Sequence, residues 1–184
     1  FKKREDIMYL HRTLKTAGRP MFRRLVLTAS MGFLSSLCAS GASLAANLNV
    51  CEREMISAST RHKVPLGVLY AVGLTETGRK GSLQPYALNI EGKTVFTTSE
   101  RAALKSFKMA RLTGKKLIDL GCMQVNHHYH GDKFSSVEDM LDPKKNVEYA
   151  AKFLSKLRVQ EGSWTMAVAR YHAGPNNNAA QKRY

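Results

Sequence analysis

A glutamate closes the most apolar stretch of this sequence. Leu66, Val68, Leu69, Ala71, Val72 and Leu74 follow one another closely, and the run ends in Thr75-Glu76-Thr77-Gly78. Read as a helix, the segment is apolar on nearly every side, which predicts burial. Glu76 then lies in its last turn. Burial and the negative end of the helix dipole both disfavour a carboxylate, so both are expected to raise the Glu76 pKa. An acid that keeps its proton near neutral pH can protonate a leaving oxygen, which is the general-acid half of glycoside cleavage. The competing reading is a surface glutamate in a helix-ending turn.

Two further segments carry groups suited to a polar ligand. Gly121-Cys122-Met123-Gln124-Val125-Asn126 offers backbone amides, Gln124 and Asn126 for a sugar, with Met123 as an apolar surface beside them. Arg170-Tyr171-His172-Ala173-Gly174-Pro175 ends a helix-like run with an aromatic hydroxyl and a sharp turn. His127, His128 and His130 cluster, but no Glu or Cys stands at a spacing such as His-Glu-x-x-His, so neither a metal nor any other cofactor is expected. Tyr149, Phe153 and Trp164 fall at helical spacing and are expected in the core. The pairs Lys115-Lys116 and Lys144-Lys145 read as solvated faces.

The elements that must position these groups are mainly helices. Asn49 with Glu52 forms a capping-box pattern ahead of Cys51, Met55 and Ala58. Pro65 suits the first turn of the helix that ends at Glu76. Ala87–Ile90, Glu91-Gly92 and Thr94–Phe96 read as a small hairpin. Thr97 with Glu100 signals a helix through Leu104, Phe107 and Leu112, and residues 114–136 read as mostly irregular. Asp142-Pro143 starts a long helix through Val147, Ala151 and Leu154. Gly162-Ser163 starts a last one from Trp164 to Tyr171. The expected fold class is all-α with a small β-hairpin, in a single domain.

Composition narrows the setting. The 184 residues hold 29 Lys plus Arg against 14 Asp plus Glu, a formal charge of +15, and 43% are apolar, enough to build a core. Part of the charge precedes the expected domain. Met21-Phe22-Arg23-Arg24, an apolar run from Leu25 to Ala39 and the small residues to Ala46 have the order of a secretory signal, and the run is short of a membrane span. The expected organisation is an upstream extension over 1–20, a signal peptide over 21–45, and a domain over 46–184 whose helix-like end is expected to run on past Tyr184. Eight basic and two acidic residues precede position 46, which leaves 21 against 12, or +9. Export and the lack of a nucleic-acid-binding motif argue against nucleic acid as partner. Of the cysteines, Cys51 and Cys122 follow the signal; they can pair, remain buried thiols, or bond elsewhere.

Taken in order, Glu76-Thr77, the Asn89-Ile90-x-Gly92 hairpin, Asp119-Leu120-Gly121-Cys122-Met123-Gln124 and Tyr171-His172 resemble the lytic transglycosylases with the goose-type lysozyme-like (SLT) fold. The small exported members that serve type IV secretion and other envelope machines are the most similar group. The resemblance covers about Cys51 to Pro175. It implies cleavage of the β-1,4 bond between N-acetylmuramic acid and N-acetylglucosamine in peptidoglycan strands, in the periplasm, with release of 1,6-anhydro ends. A secretion or flagellar machine is the partner it implies. Glu76 matches the catalytic glutamate; Thr77, Met123, Gln124, Asn126, Tyr171 and His172 fall at substrate-side positions. Four residues depart from the pattern: Thr77 replaces Ser, Cys122 replaces Leu, His172 replaces Asn and Arg170 replaces Ala. A substrate that supplies its own nucleophile removes the need for the second carboxylate of ordinary glycosidases; Asp119, Asp132 and Glu91 are the candidates for one. A hydrolytic muramidase on the same fold and a non-catalytic wall binder are the alternative readings.

Overall fold

A computed structural model describes residues 48–174 of the chain. The expected upstream extension and signal peptide, and Pro175, lie outside the described residues.

The first two helices follow from local signals. Asn49 caps α1 (Val50–His62): its side chain accepts from Cys51 N, and Glu52 reaches back to the Asn49 amide at 2.9 Å. Helix α2 (Leu66–Thr77) begins directly after Pro65. It buries Leu69, Val72, Gly73 and Thr77, a stripe at helical spacing, but Leu66 and Leu74 remain 37% and 43% exposed. The all-round burial expected of this helix is therefore absent. An uninterrupted apolar run shows that any face can be buried, not how many neighbours there are to bury it. Gly73 lies where α2 meets α1, and a Cβ there would stand 2.5 Å from Met55 Cε.

A four-stranded antiparallel sheet follows, in the order β2-β1-β3-β4. Strands β1 (Leu88–Ile90) and β2 (Lys93–Val95) form the expected hairpin. Strands β3 (Ile118–Leu120) and β4 (Val125–Asn126) correct the irregular reading of residues 114–136. Two- and three-residue strands are too short to show an alternating pattern, and β3 exists because β1 pairs with it across the sequence. Helix α3 (Glu100–Leu112) lies between the strand pairs; its cap is Ser99, not Thr97, whose hydroxyl donates to the Tyr86 carbonyl instead.

Two short helices, α4 (His127–His130) and α5 (Val137–Leu141), lead to α6 (Pro143–Glu161), capped by Asp142 with Pro143 in its first turn as expected. Ser163 caps α7 (Trp164–Ala173). Helix α6 packs on α1 and α7, and Met55, Leu69, Leu88, Leu120, Met123, Val147 and Leu154 fill the core between helices and sheet. The fold is mostly helical with a small sheet. A disulfide joins Cys51 to Cys122 and so resolves the open question of their pairing. No helix among the described residues is long and apolar enough to cross a membrane.

Candidate active site

Glu76 reaches the site because of the residue next to it. Thr77 is buried, and its hydroxyl proton is shared between the Gly73 carbonyl one turn back and the Cys122 carbonyl across the fold. That ties the end of α2 to the loop between β3 and β4. Glu76, one position earlier, instead faces a cleft of about 660 Å³, where its side chain keeps 20% of its surface exposed. His172 Nδ1 stands 3.0 Å from Glu76 Oε1. The expected substrate-side role of Thr77 is thus replaced by an anchoring one.

The loop Gly121-Cys122-Met123-Gln124 lies between sheet and helices. Gly121 has φ +79°, and a Cβ there would fall 2.7 Å from the Asn146 amide nitrogen, so only glycine lets the two approach. Met123 is fully buried and offers no apolar surface to a ligand, which corrects its expected place on the substrate wall. Its backbone matters instead: the N–H donates to Asn146 Oδ1 at 2.9 Å, and the carbonyl accepts from the Tyr171 hydroxyl at 2.8 Å. Tyr171 is thereby directed at the loop, not at Glu76. Burial, with the negative charges of Glu76 and Asp119 adding to it, holds the Tyr171 phenol well above its ordinary range, so it remains a donor.

Gln124 lines the cleft with φ +47°. Its Nε2 donates to the Ala87 and Gly121 carbonyls, which fixes which end of the amide is which. Oε1 is left buried without a hydrogen-bond partner.

Asn146 is the residue that sequence reading passed over. Fully buried, it accepts from Met123 N and donates to the Leu120 and Met140 carbonyls. The available signal was an amide one turn inside a helix, at a position flanked by core residues. Asn146→Ala strands three buried backbone groups and is expected to lower unfolding free energy by roughly 3 kcal/mol. Urea denaturation measures this; an unchanged midpoint would refute it.

On the sheet, Asn89, Asp119 and Asn126 are direct cross-strand partners on β1, β3 and β4, and all three line the cleft. Asn126 Oδ1 accepts from His128 N and Tyr129 N at the start of α4, which points its Nδ2 at Asp119 Oδ1, 2.6 Å away. Asn126 therefore has its oxygen and one amide proton committed to the protein. The Asp119 carboxyl is pushed up to about 6, chiefly by burial; the Asn126 bond opposes this, and the Glu76 charge adds to it. A carboxyl whose folded value lies above its unfolded one stabilises the fold fully below the unfolded value of 3.8, and that contribution is lost as pH rises through about 6. Asp119→Asn is neutral at every pH. Its Tm is expected to match the wild type in acid and to exceed it above pH 6, and thermal melts across that range check the sign.

Tyr149 and Phe153 line the cleft as well; Tyr149 also packs against the core, as expected, whereas Phe153 is half-buried along the cleft. Their rings form a row with His130, whose Nδ1 is 2.9 Å from the Tyr149 hydroxyl. Helical spacing placed them on one face of α6 but did not say what opposes that face. Trp164 packs against the core. His127 packs on Phe107, and no group of three or more His, Cys, Asp or Glu able to hold a metal occurs among the described residues.

The cleft thus combines a carboxyl at a helix end, a second one on the sheet, an unsatisfied amide oxygen and an aromatic row. That set suits acid-assisted cleavage of a polar, ring-containing polymer. Comparison with curated proteins and with solved structures found no match. The family model described as the transglycosylase SLT domain matches residues 54–184, which include every residue of this cleft. The chain belongs to the transglycosylase SLT domain family, whose members act on peptidoglycan.

Proposed function

We propose that this protein is an exported lytic transglycosylase that cleaves the β-1,4 bond between N-acetylmuramic acid and N-acetylglucosamine, with Glu76 as its acid and base. The observation that supports this most is the position of Glu76: a carboxyl at a helix end, held by His172 and open to a cleft of about 660 Å³. In the first step Glu76 protonates the glycosidic oxygen and the bond to the anomeric carbon breaks. The muramoyl N-acetyl group supports the positive charge. Glu76, now a carboxylate, takes the proton of the 6-hydroxyl as that oxygen closes on the anomeric carbon. The product is a 1,6-anhydro end, and Glu76 regains its proton without water.

The other side chains act around this step. His172 fixes one Glu76 oxygen, Gln124 Nε2 holds the Ala87 and Gly121 carbonyls, and Tyr171, through the Met123 carbonyl, keeps the loop in place. We assign residues 21–45 as a signal peptide and 46–184 as the catalytic domain, an organisation that supports work in the periplasm. Local wall opening for an envelope-spanning machine is the role we assign. The formal +9 of residues 46–184 suits an anionic wall polymer. Mass spectrometry of sacculi digested with the protein tests the reading: anhydro-muropeptides are expected, release of reducing ends alone would overturn it in favour of a hydrolytic muramidase, and release of neither in favour of a wall binder.

A further inference from the structure

Tyr149 lines two cavities. Beside the cleft it borders a second one of about 420 Å³, bounded by the end of α1, residues 133–139 and α6. The aromatic row runs on across this border: Tyr171 meets Phe153, Phe153 meets Tyr149, and Tyr149 meets Phe134, at ring distances of 5.8, 6.2 and 4.9 Å. It therefore leads from the neighbour of His172, which holds Glu76, to the second cavity. The walls there carry Lys133, Lys145 and Lys152 alongside Asp139 and Glu148. Two of the lysines have local counter-ions, Lys133 in Asp132 and Lys145 in Asp139. For Lys152 the natural partner is Glu148, four residues earlier on α6 and in the favourable order for such a pair. Glu148 is turned to α1 instead: Oε2 accepts from Arg61 Nε and Nη2, and Oε1 bonds to His62 Nε2. Lys152 is left exposed and without an ion pair among the described residues.

We infer that this second cavity is a subsite for the peptide stem of the glycan strand, with the Lys152 ammonium receiving a stem carboxylate and the Tyr149 ring standing between stem and sugar. The inference rests on the reading of the cleft as a glycan-cleaving site, because the strand in the cleft is what delivers the stem. A carboxylate beside Lys152 supplies the counter-ion that Glu148 does not. The mixed charge of the walls selects among anions: Asp139 and Glu148 oppose a densely charged polyanion, but they suit a ligand that bears an amine as well as carboxylates, as a stem with a diamino acid does. Phe134 and Tyr149 offer apolar surface to the methyl groups of its alanines. An exposed ion pair contributes little affinity, so the gain lies in choosing and orienting stem-bearing strands, and it falls as salt rises.

The test compares kcat/KM on intact glycan strands with that on strands stripped of their stems by an amidase, and follows binding of a synthetic stem tripeptide ending in diaminopimelate by NMR titration. The wild type is expected to prefer stem-bearing strands about two- to fivefold, the range of an exposed ion pair, and to bind the tripeptide. Lys152→Glu should bring the ratio to about one, chiefly through KM, and abolish tripeptide binding. Lys156→Glu makes the same charge change one turn further along α6 and outside the cavity, and should keep both. A ratio that falls equally in the two variants would overturn the inference in favour of general attraction by a basic surface. A wild type without preference for stems, or one that binds inorganic phosphate at Lys152 and not the tripeptide, overturns it as well. None of these outcomes touches the lytic reading, which release of anhydro ends decides separately. Tripeptide binding that depends on Lys152, in a protein that cleaves neither kind of strand, supports the subsite while the lytic reading fails.

Discussion

Glu76→Gln is expected to reduce glycan cleavage by about 10²–10⁴-fold, the usual contribution of a positioned general acid. Glutamine keeps the size and the hydrogen-bonding reach of glutamate, so the contact with His172 Nδ1 can persist and the end of α2, anchored by Thr77 and not by Glu76, stays in place. What is lost is the proton. A melting curve equal to the wild type, with sacculus binding retained, would separate lost chemistry from lost structure. Undiminished release of anhydro-muropeptides by the glutamine variant would remove Glu76 from the mechanism.

Loss of the Cys51–Cys122 disulfide is expected to have the largest effect on stability. The two residues are 71 positions apart, and closing a loop of that length in the unfolded chain corresponds to about 4 kcal/mol in the chain-entropy account. At the usual conversion for a domain of this size, the double Cys→Ala variant should melt roughly 10–20 °C lower. Activity should suffer as well, because Cys122 lies between Gly121 and Met123 and its carbonyl receives the Thr77 hydroxyl that seats Glu76. Melting with and without a thiol reductant gives the same comparison on the unmodified protein. Both cysteines are fully buried, so reduction is expected to be slow until the fold opens. A double variant with an unchanged melting point would show that packing alone holds the loop.

The helix caps were legible because each is a local event. Asn49 with Glu52, Asp142 with Pro143 and Ser163 satisfy the first amides of their own helices within three residues, and nothing distant is needed to read them. The exception, Ser99 in place of Thr97, came from a distant partner: the Thr97 hydroxyl is engaged by the Tyr86 carbonyl. Strands β3 and β4 failed for the same reason, since their pairing belongs to the sheet and not to their residues. The carboxyl at the helix end was visible as an isolated polar interruption of an apolar run. Its surroundings were not: apolar α2 leaves Leu74 exposed, and Phe153 lines a cleft where spacing suggested core.

By itself, then, the sequence determined the long helices and most of their caps, the hairpin, the position of Glu76 and the family resemblance. Each of these depends on residue type and short spacing. The tertiary structure decided which of the expected site residues reach the cleft. It buried Thr77 and Met123 as anchors, left Gln124 Oε1 buried without a partner, paired Cys51 with Cys122, and set Asn89, Asp119 and Asn126 in one row. Those outcomes depend on strand register and on which helix face finds a neighbour, quantities fixed by contacts between segments tens of residues apart. Hence one carboxyl could be singled out from the chain alone, while Asp119 stood among three candidates for a second until the sheet placed it in the same cleft.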